Sequence, residues 1–338
     1  MAIVMSERVM RLKEVRSELG LLVWFAVDKI ISPAVRPKES LVLNGFWRSG
    51  TTWVQQVLSS ALDAKPVFEP FAEKVPHTCR YLEGVDSKLL MEEVAKPFMP
   101  YVATKSDWPK VLEEVVQDSL ISTLDRHHYT YAGRQSYKDS LKRAVVVKFV
   151  RGALLLPAIT QRFSVPTLHL RRDPRMVIAS ICRQPRWGGG LFEDLSLTQQ
   201  FLKIPDGREH IFEPFYDDIM NADKGSLVEK IATYWAISEW FIQQSDEFHA
   251  GRIILAKYEE LIVADEVDWL NLLQSLKLQP KKNFSEWGLN RASFTTQKGR
   301  EGLLLERRSN SYNDILTDKD IYLIESIVGK YGLEDALL

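Results

Sequence analysis

A short apolar run, Leu41-Val42-Leu43, gives way within a few residues to Arg48-Ser49-Gly50-Thr51-Thr52-Trp53-Val54-Gln55, and no other stretch constrains the fold as strongly. The run reads as a buried strand, Gly45 and Gly50 as turn residues, and Thr51 onward as the opening of a helix. The first N–H groups of a helix lack intrahelical partners and sit at the positive end of the dipole, so such a turn holds phosphate-like anions. Thr51 and Thr52 add hydroxyl donors, and Arg48 adds a fixed charge.

Similar apolar runs recur at residues 144–150, 165–170 and 253–256, each followed by a helical pattern. Strands alternating with helices predict an α/β fold with a central parallel sheet flanked by helices, and ligands there bind beyond the C-terminal strand ends. Arg48, Arg172 and Tyr258 all fall at such ends. Helical apolar spacing covers 107–124 and 227–248, the latter with Trp235 and Trp240 as core residues. Residues 184–215 hold Pro185, Gly188-Gly189-Gly190, Pro205, Gly207 and Pro214, a composition that favours irregular chain and a lid or acceptor-binding loop. With no repeat or linker, the 338 residues are expected to form one domain, in which 1–39 make an N-terminal helical extension.

Gly45 and Gly50 keep the spacing of a nucleoside-triphosphate P-loop, but Thr51 stands where that loop needs lysine, and the cation sits inside the loop at Arg48. That arrangement resembles the phosphosulfate loop of the sulfotransferases that use 3′-phosphoadenosine-5′-phosphosulfate (PAPS), in which Lys or Arg-Ser-Gly-Thr-Thr follows the first strand. Trp47 replaces the proline that family members usually carry. A second segment, Arg171-Arg172-Asp173-Pro174, with Ser180 eight positions after Arg172, resembles the family's 3′-phosphate motif. Asp173 suits a helix N-cap and Pro174 the first turn.

The resemblance extends to Tyr258-Glu259-Glu260-Leu261, whose tyrosine, with Trp53, matches the rings the family lays against adenine. It also reaches the C-terminal loop over the 3′-phosphate, where Lys298 and Gly299 match, Gln297 replaces an arginine, and Arg300 is the candidate for the missing charge. The resemblance implies a P-loop-kinase-like sulfotransferase fold, PAPS as donor with adenosine 3′,5′-bisphosphate as product, and no required metal. The implied cofactor-binding set is Arg48, Ser49, Gly50, Thr51, Thr52, Trp53, Arg172, Ser180, Tyr258, Lys298, Gly299 and Arg300.

A hydroxyl acceptor needs a base. Cytosolic members use histidine two residues after a strand lysine; here Lys148 matches the lysine and Val150 the histidine. The carbohydrate-sulfating branch has Phe-Glu-Pro after the loop, as in Phe68-Glu69-Pro70, and an Arg-Asp-Pro-Arg version of the second motif, so the motifs lie nearest to that branch and its bacterial relatives. Glu69 is the candidate base and Arg48 the candidate for stabilising charge on the leaving group. Glu73, His77, His128 and Lys148 are the reserve bases, and His169, inside a strand, reads as structural.

The balance of 44 basic against 45 acidic residues leaves a formal net charge of −1, so no global field favours nucleic acid and any anion site is local. Two cysteines, Cys79 and Cys182, supply neither a disulfide framework nor a zinc quartet, and a reducing compartment follows. The nine-residue apolar run at 19–27 falls short of the roughly 20 residues of a membrane span, and 11–31 reads as an amphipathic helix packed on the domain. A cytoplasmic protein is expected, with a glycan or small natural-product acceptor. Three classes remain distinguishable: a PAPS-dependent sulfotransferase, a P-loop kinase using ATP and magnesium, and a silent nucleotide-binding protein. Nothing in the sequence sets the oligomeric state.

Overall fold

The computed structural model describes residues 35–71, 99–103, 108–121, 142–183, 192–289 and 312–337. The candidate positions Glu73, His77, His128, Lys298, Gly299 and Arg300, and the helix expected at 11–31, lie outside the described residues.

Five strands, β1 (Leu41–Asn44), β2 (Lys65–Phe68), β3 (Val145–Phe149), β4 (Thr167–Arg171) and β5 (Ile253–Lys257), form one sheet in the order β2-β3-β1-β4-β5. Every pairing is parallel, so all five C-terminal ends open on the same edge. Four of the strands follow the apolar runs of the sequence. The fifth, β2, is Lys-Pro-Val-Phe, too short and too interrupted to read as a strand. Among the described residues it pairs only with β3, and an edge strand is where Pro66 is tolerated.

The helices between strands are α1 (Thr51–Ala61), α2 (Lys110–Ile121), α3 (Leu156–Phe163) and α4 (Pro174–Cys182). After β4 the chain continues through α5 (Arg208–Phe212), α6 (Tyr216–Lys224), α7 (Leu227–Gln243) and α8 (Asp246–His249). Beyond β5 come α9 (Tyr258–Leu261), α10 (Glu266–Ser275) and α11 (Asp318–Lys330). Leu41 and Leu43 pack with α1, α9 and α10 on one face of the sheet, while Val42 packs with α2, α3, α4 and α7 on the other. Both faces are thus covered, as a parallel sheet requires. Because the helix leaving β1 and the helix leaving β4 lie on opposite faces, a crevice opens between these neighbouring strands, the usual ligand position in such sheets.

Two local expectations change. The pattern at 227–248 splits after Gln243, because the Ser245 side chain accepts from the Phe248 N–H and starts α8 as a separate turn. Residues 192–215 are not irregular chain: they form a π-helical turn at Gln199–Lys203, α5 and a 3-10 turn at Glu213–Phe215. Phe192, Phe201 and Phe212 bury their rings in the core and override the local glycines and prolines.

Candidate anion-binding active site

Each strand delivers a polar group to the shared edge. Beyond β1, the turn reaches Arg48 and then α1, whose N-cap is Gly50 in the left-handed region (φ 87°) and whose N-terminus has no side-chain cap. A β-carbon at Gly50 would lie 2.2 Å from the Tyr258 ring, so only glycine lets that ring close on the loop. The helix leaving β4 differs: Asp173 accepts from the Arg175 N–H with Pro174 in the first turn, so α4 satisfies its own N-terminus. Of the two helix starts at the crevice, the uncapped one follows β1.

Arg48 and Glu69 adopt positive φ (66° and 48°) without being glycine. The other non-glycine cases, Asp63, Ser164 and Lys277, follow helix ends, an ordinary place for left-handed backbone. Arg48 and Glu69 do not, and backbone held this way away from helix ends clusters at functional sites.

The two motifs that are separate in sequence meet here. Arg48 Nε donates to Ser180 Oγ at 3.0 Å, and Arg172 Nη1 donates to the Arg48 carbonyl at 2.9 Å. Arg172 also lies over the Tyr258 ring at 4.7 Å, with Glu259 Oε1 3.8 Å from its Nε. Trp53 meets Tyr258 edge-on at 6.0 Å between centroids. Burial pushes the Arg48 guanidinium below its ordinary value, and the neighbouring Arg172 charge acts in the same direction. A guanidinium so placed gains from an anion.

On the β2–β3 side, the register pairs Phe68 with Lys148 and sets Glu69 just past the end of β2. Glu69 is buried (5% exposed) and accepts at Oε2 from the Val150 N–H at 3.2 Å. Lys148 Nζ lies 3.3 Å from its Oε1 and Arg151 Nη1 lies 3.8 Å from its Oε2. The same Lys148 Nζ donates to Thr52 Oγ1 at 3.0 Å and sits 3.4 Å over the Phe68 ring. Burial pulls the Lys148 ammonium down from its ordinary 10.5 to about 8, against the pull of Glu69, while Arg151 and Arg48 add to the lowering.

Lys148 is a reserve base in the sequence and Arg151 carries no signal there; the structure puts both beside Glu69. Arg151 follows Lys148 by three positions, and only the pairing of β2 with β3 reveals their common partner. Trp47 is buried, 5.0 Å from Phe46 and 5.6 Å from Phe192, and the Arg151 guanidinium lies 5.6 Å from its ring. Trp47 Nε1, Ser49 Oγ, Glu69 Oε1 and Arg172 Nε are buried without a hydrogen-bond partner among the described residues. Buried polar atoms are normally satisfied, and a cluster of unsatisfied ones is where a ligand belongs.

No protein-family model matches the chain, and no curated protein sequence matches it. Among solved structures it is similar to the sulfotransferase domain of the Synechococcus PCC 7002 olefin synthase, at 13% identity and a TM-score of 0.37 over 87% of this chain and 96% of that one. It is similar to the sulfotransferase domain from the curacin biosynthetic pathway, at 12% identity and 0.39 over 87% and 97%. Retinol dehydratase in complex with androsterone and the inactive cofactor PAP overlaps at 13% identity and 0.37 over 90% and 83%. None of the helices formed by described residues is long and apolar enough to cross a membrane.

Proposed function

We propose that the protein is a sulfotransferase that moves the sulfuryl group of PAPS to the hydroxyl of a sugar or small natural-product acceptor. One observation carries the reading: Arg48 is a half-buried guanidinium whose Nε hydrogen bond goes to a neutral hydroxyl, at the uncapped start of α1. An anion is the missing partner. In this reading the 5′-phosphosulfate lies on Arg48, Ser49, Gly50, Thr51 and Thr52, and the 3′-phosphate on Arg172 and Ser180. Trp53 and Tyr258 border the base, and the resemblance assigns Lys298, Gly299 and Arg300 to the 3′-phosphate.

PAPS supplies an activated sulfur and a leaving group that gathers negative charge. Arg48, held by Ser180 and by its own carbonyl's bond to Arg172, meets that charge in a fixed position. Lys148 brings a second cation through Thr52. Glu69 accepts the acceptor's proton at Oε1 as the new sulfur–oxygen bond forms and the old one breaks. Lys148 and Arg151 hold the carboxylate in place for that transfer. Residues 184–215 are assigned to the acceptor side. The substitution of Thr51 for the P-loop lysine weighs against the kinase reading.

Incubation with radiolabelled PAPS and a panel of hydroxylated glycans, lipids and small phenols tests the reading. Transfer of label to any acceptor supports it. Label that stays on PAPS throughout, from protein that binds adenosine 3′,5′-bisphosphate, favours the silent nucleotide-binding alternative.

A further inference from the structure

A second buried polar cluster lies directly behind the loop, and the proposed reaction does not use it. His169, in β4, is fully buried (0% exposed) and is bonded at both ring nitrogens. Its Nε2 is 2.8 Å from Glu239 Oε2 on α7, and Arg171 Nε donates to the same oxygen at 2.9 Å. Its Nδ1 is 2.9 Å from the side-chain amide of Asn44, its register partner at the end of β1.

The surroundings decide the orientation of that amide. The Phe149 carbonyl and the Gly45 N–H are bonded to each other at 3.3 Å, and both also face the amide: the carbonyl, 3.0 Å away, can only accept, and the N–H, 3.1 Å away, can only donate. Asn44 therefore donates from Nδ2 to Phe149 and accepts at Oδ1 from both Gly45 and His169. That makes His169 Nδ1 a donor. Nε2 is also a donor, because it faces a carboxylate that already accepts from Arg171. Burial alone would push the Glu239 carboxyl up, but His169 and Arg171 together hold it below its ordinary value. Asp335 lies 3.1 Å from Arg171 Nη1, and Lys257 lies 4.0 Å from Asp335. Gln243 Oε1 accepts from Arg171 Nη2 at 2.7 Å.

We infer that His169 is a positioning residue: donating from Nδ1, it locks the Asn44 amide, which together with the Phe149 carbonyl holds the N–H of Gly45 and so the first residue of the anion loop. Gly45 has little room to move otherwise, since a β-carbon there would meet the Leu170 carbonyl and Thr51 Cγ2 at 2.7 Å. The cluster thus transmits the position of β4 and α7 to the loop. Its effect on function rests on the sulfotransferase reading, but the hydrogen-bond chain does not.

The two arms of the imidazole can be tested separately. An asparagine amide at 169 mimics Nδ1 and keeps the bond to Asn44, whereas a glutamine amide mimics Nε2 and keeps only the bond to Glu239. His169→Asn should bind adenosine 3′,5′-bisphosphate within about threefold of wild type, and His169→Gln should bind about tenfold more weakly with faster amide exchange at Gly45. Equal losses in the two variants, or wild-type behaviour in His169→Gln, would overturn the inference. Nitrogen-15 spectra of the wild-type imidazole at pH 7.5 need no variant and no ligand. A protonated Nδ1 on His169 is expected, and an Nδ1 without a proton contradicts the chain. If wild-type protein bound no bisphosphate, the functional reading would fail, while the exchange and imidazole measurements would still decide the positioning role.

Discussion

Two buried polar clusters flank the C-terminal half of β1, and they are built on opposite terms. Behind the loop, Glu239 and Asp335 answer Arg171 and His169, and every hydrogen-bonding arm named there has a partner. At the loop, Arg48, Arg172, Lys148 and Arg151 gather around Glu69 and Glu259; four buried side-chain atoms have no hydrogen bond there, and of these only Glu69 Oε1 and Arg172 Nε are met by ion pairs. Burying a polar group without a partner costs about 1–3 kcal/mol, so the first cluster stabilises the fold while the second carries a standing cost. A satisfied network specifies structure; an unsatisfied, cation-rich one specifies a ligand.

That contrast can be broken most severely at Glu69. Glu69→Gln should lower turnover by about 10²–10⁴-fold if the carboxylate takes the proton. It should also lower the melting temperature, because Lys148 and Arg151 lose their shared counter-charge, and breaking a buried pair costs about 3–5 kcal/mol. Turnover measured well below the melting temperature separates the two effects, and near-normal rates there would remove Glu69 from the chemistry.

Arg48→Ala is next, with kcat expected to fall about 10²-fold while bisphosphate affinity falls less. An effect confined to KM would make Arg48 a binding group only. Arg172→Ala should cost about 1.5–3 kcal/mol in bisphosphate binding, or roughly 10- to 150-fold, by calorimetry. Because Arg172 also holds the Arg48 carbonyl, adenosine 5′-monophosphate should weaken as well, but by less. Equal losses would deny Arg172 the 3′-phosphate.

The smallest effect expected is on pH. The native Lys148 releases its proton near pH 8 and the unfolded lysine near 10.5, so between these values the unfolded state binds more protons and this group's contribution to stability rises with pH. Activity that depends on the Lys148 cation should fall over the same window. Thermal melts and rates recorded from pH 7 to 10 should therefore move in opposite directions, and parallel movement would exclude Lys148 from the reaction.

The sequence made β1, β3, β4 and β5 legible because strands covered on both faces are uninterrupted apolar runs. It concealed β2, whose Lys65 and Pro66 are affordable only at an edge. The site divides the same way. Arg48, Thr52, Arg172 and Tyr258 sit in short local motifs, and their convergence follows from parallel strand order. The ion pairs of Lys148 and Arg151 with Glu69, and the chain from His169 to Gly45, join residues about 80 to 125 positions apart. Local patterning carries no trace of such pairings. Residues 192–215 mislead for a related reason, since their glycines and prolines describe turns while their phenylalanines anchor a packed segment.

The central claim, that the unsatisfied cluster is a site for a nucleotide bearing both 5′ and 3′ anions, is tested most directly by calorimetric titration of the wild-type protein in EDTA. Adenosine 3′,5′-bisphosphate should bind without metal, at least about tenfold tighter than adenosine 5′-monophosphate, the margin expected for one charge-assisted contact. Equal affinity for the two, or binding only of ATP with magnesium, would contradict the account.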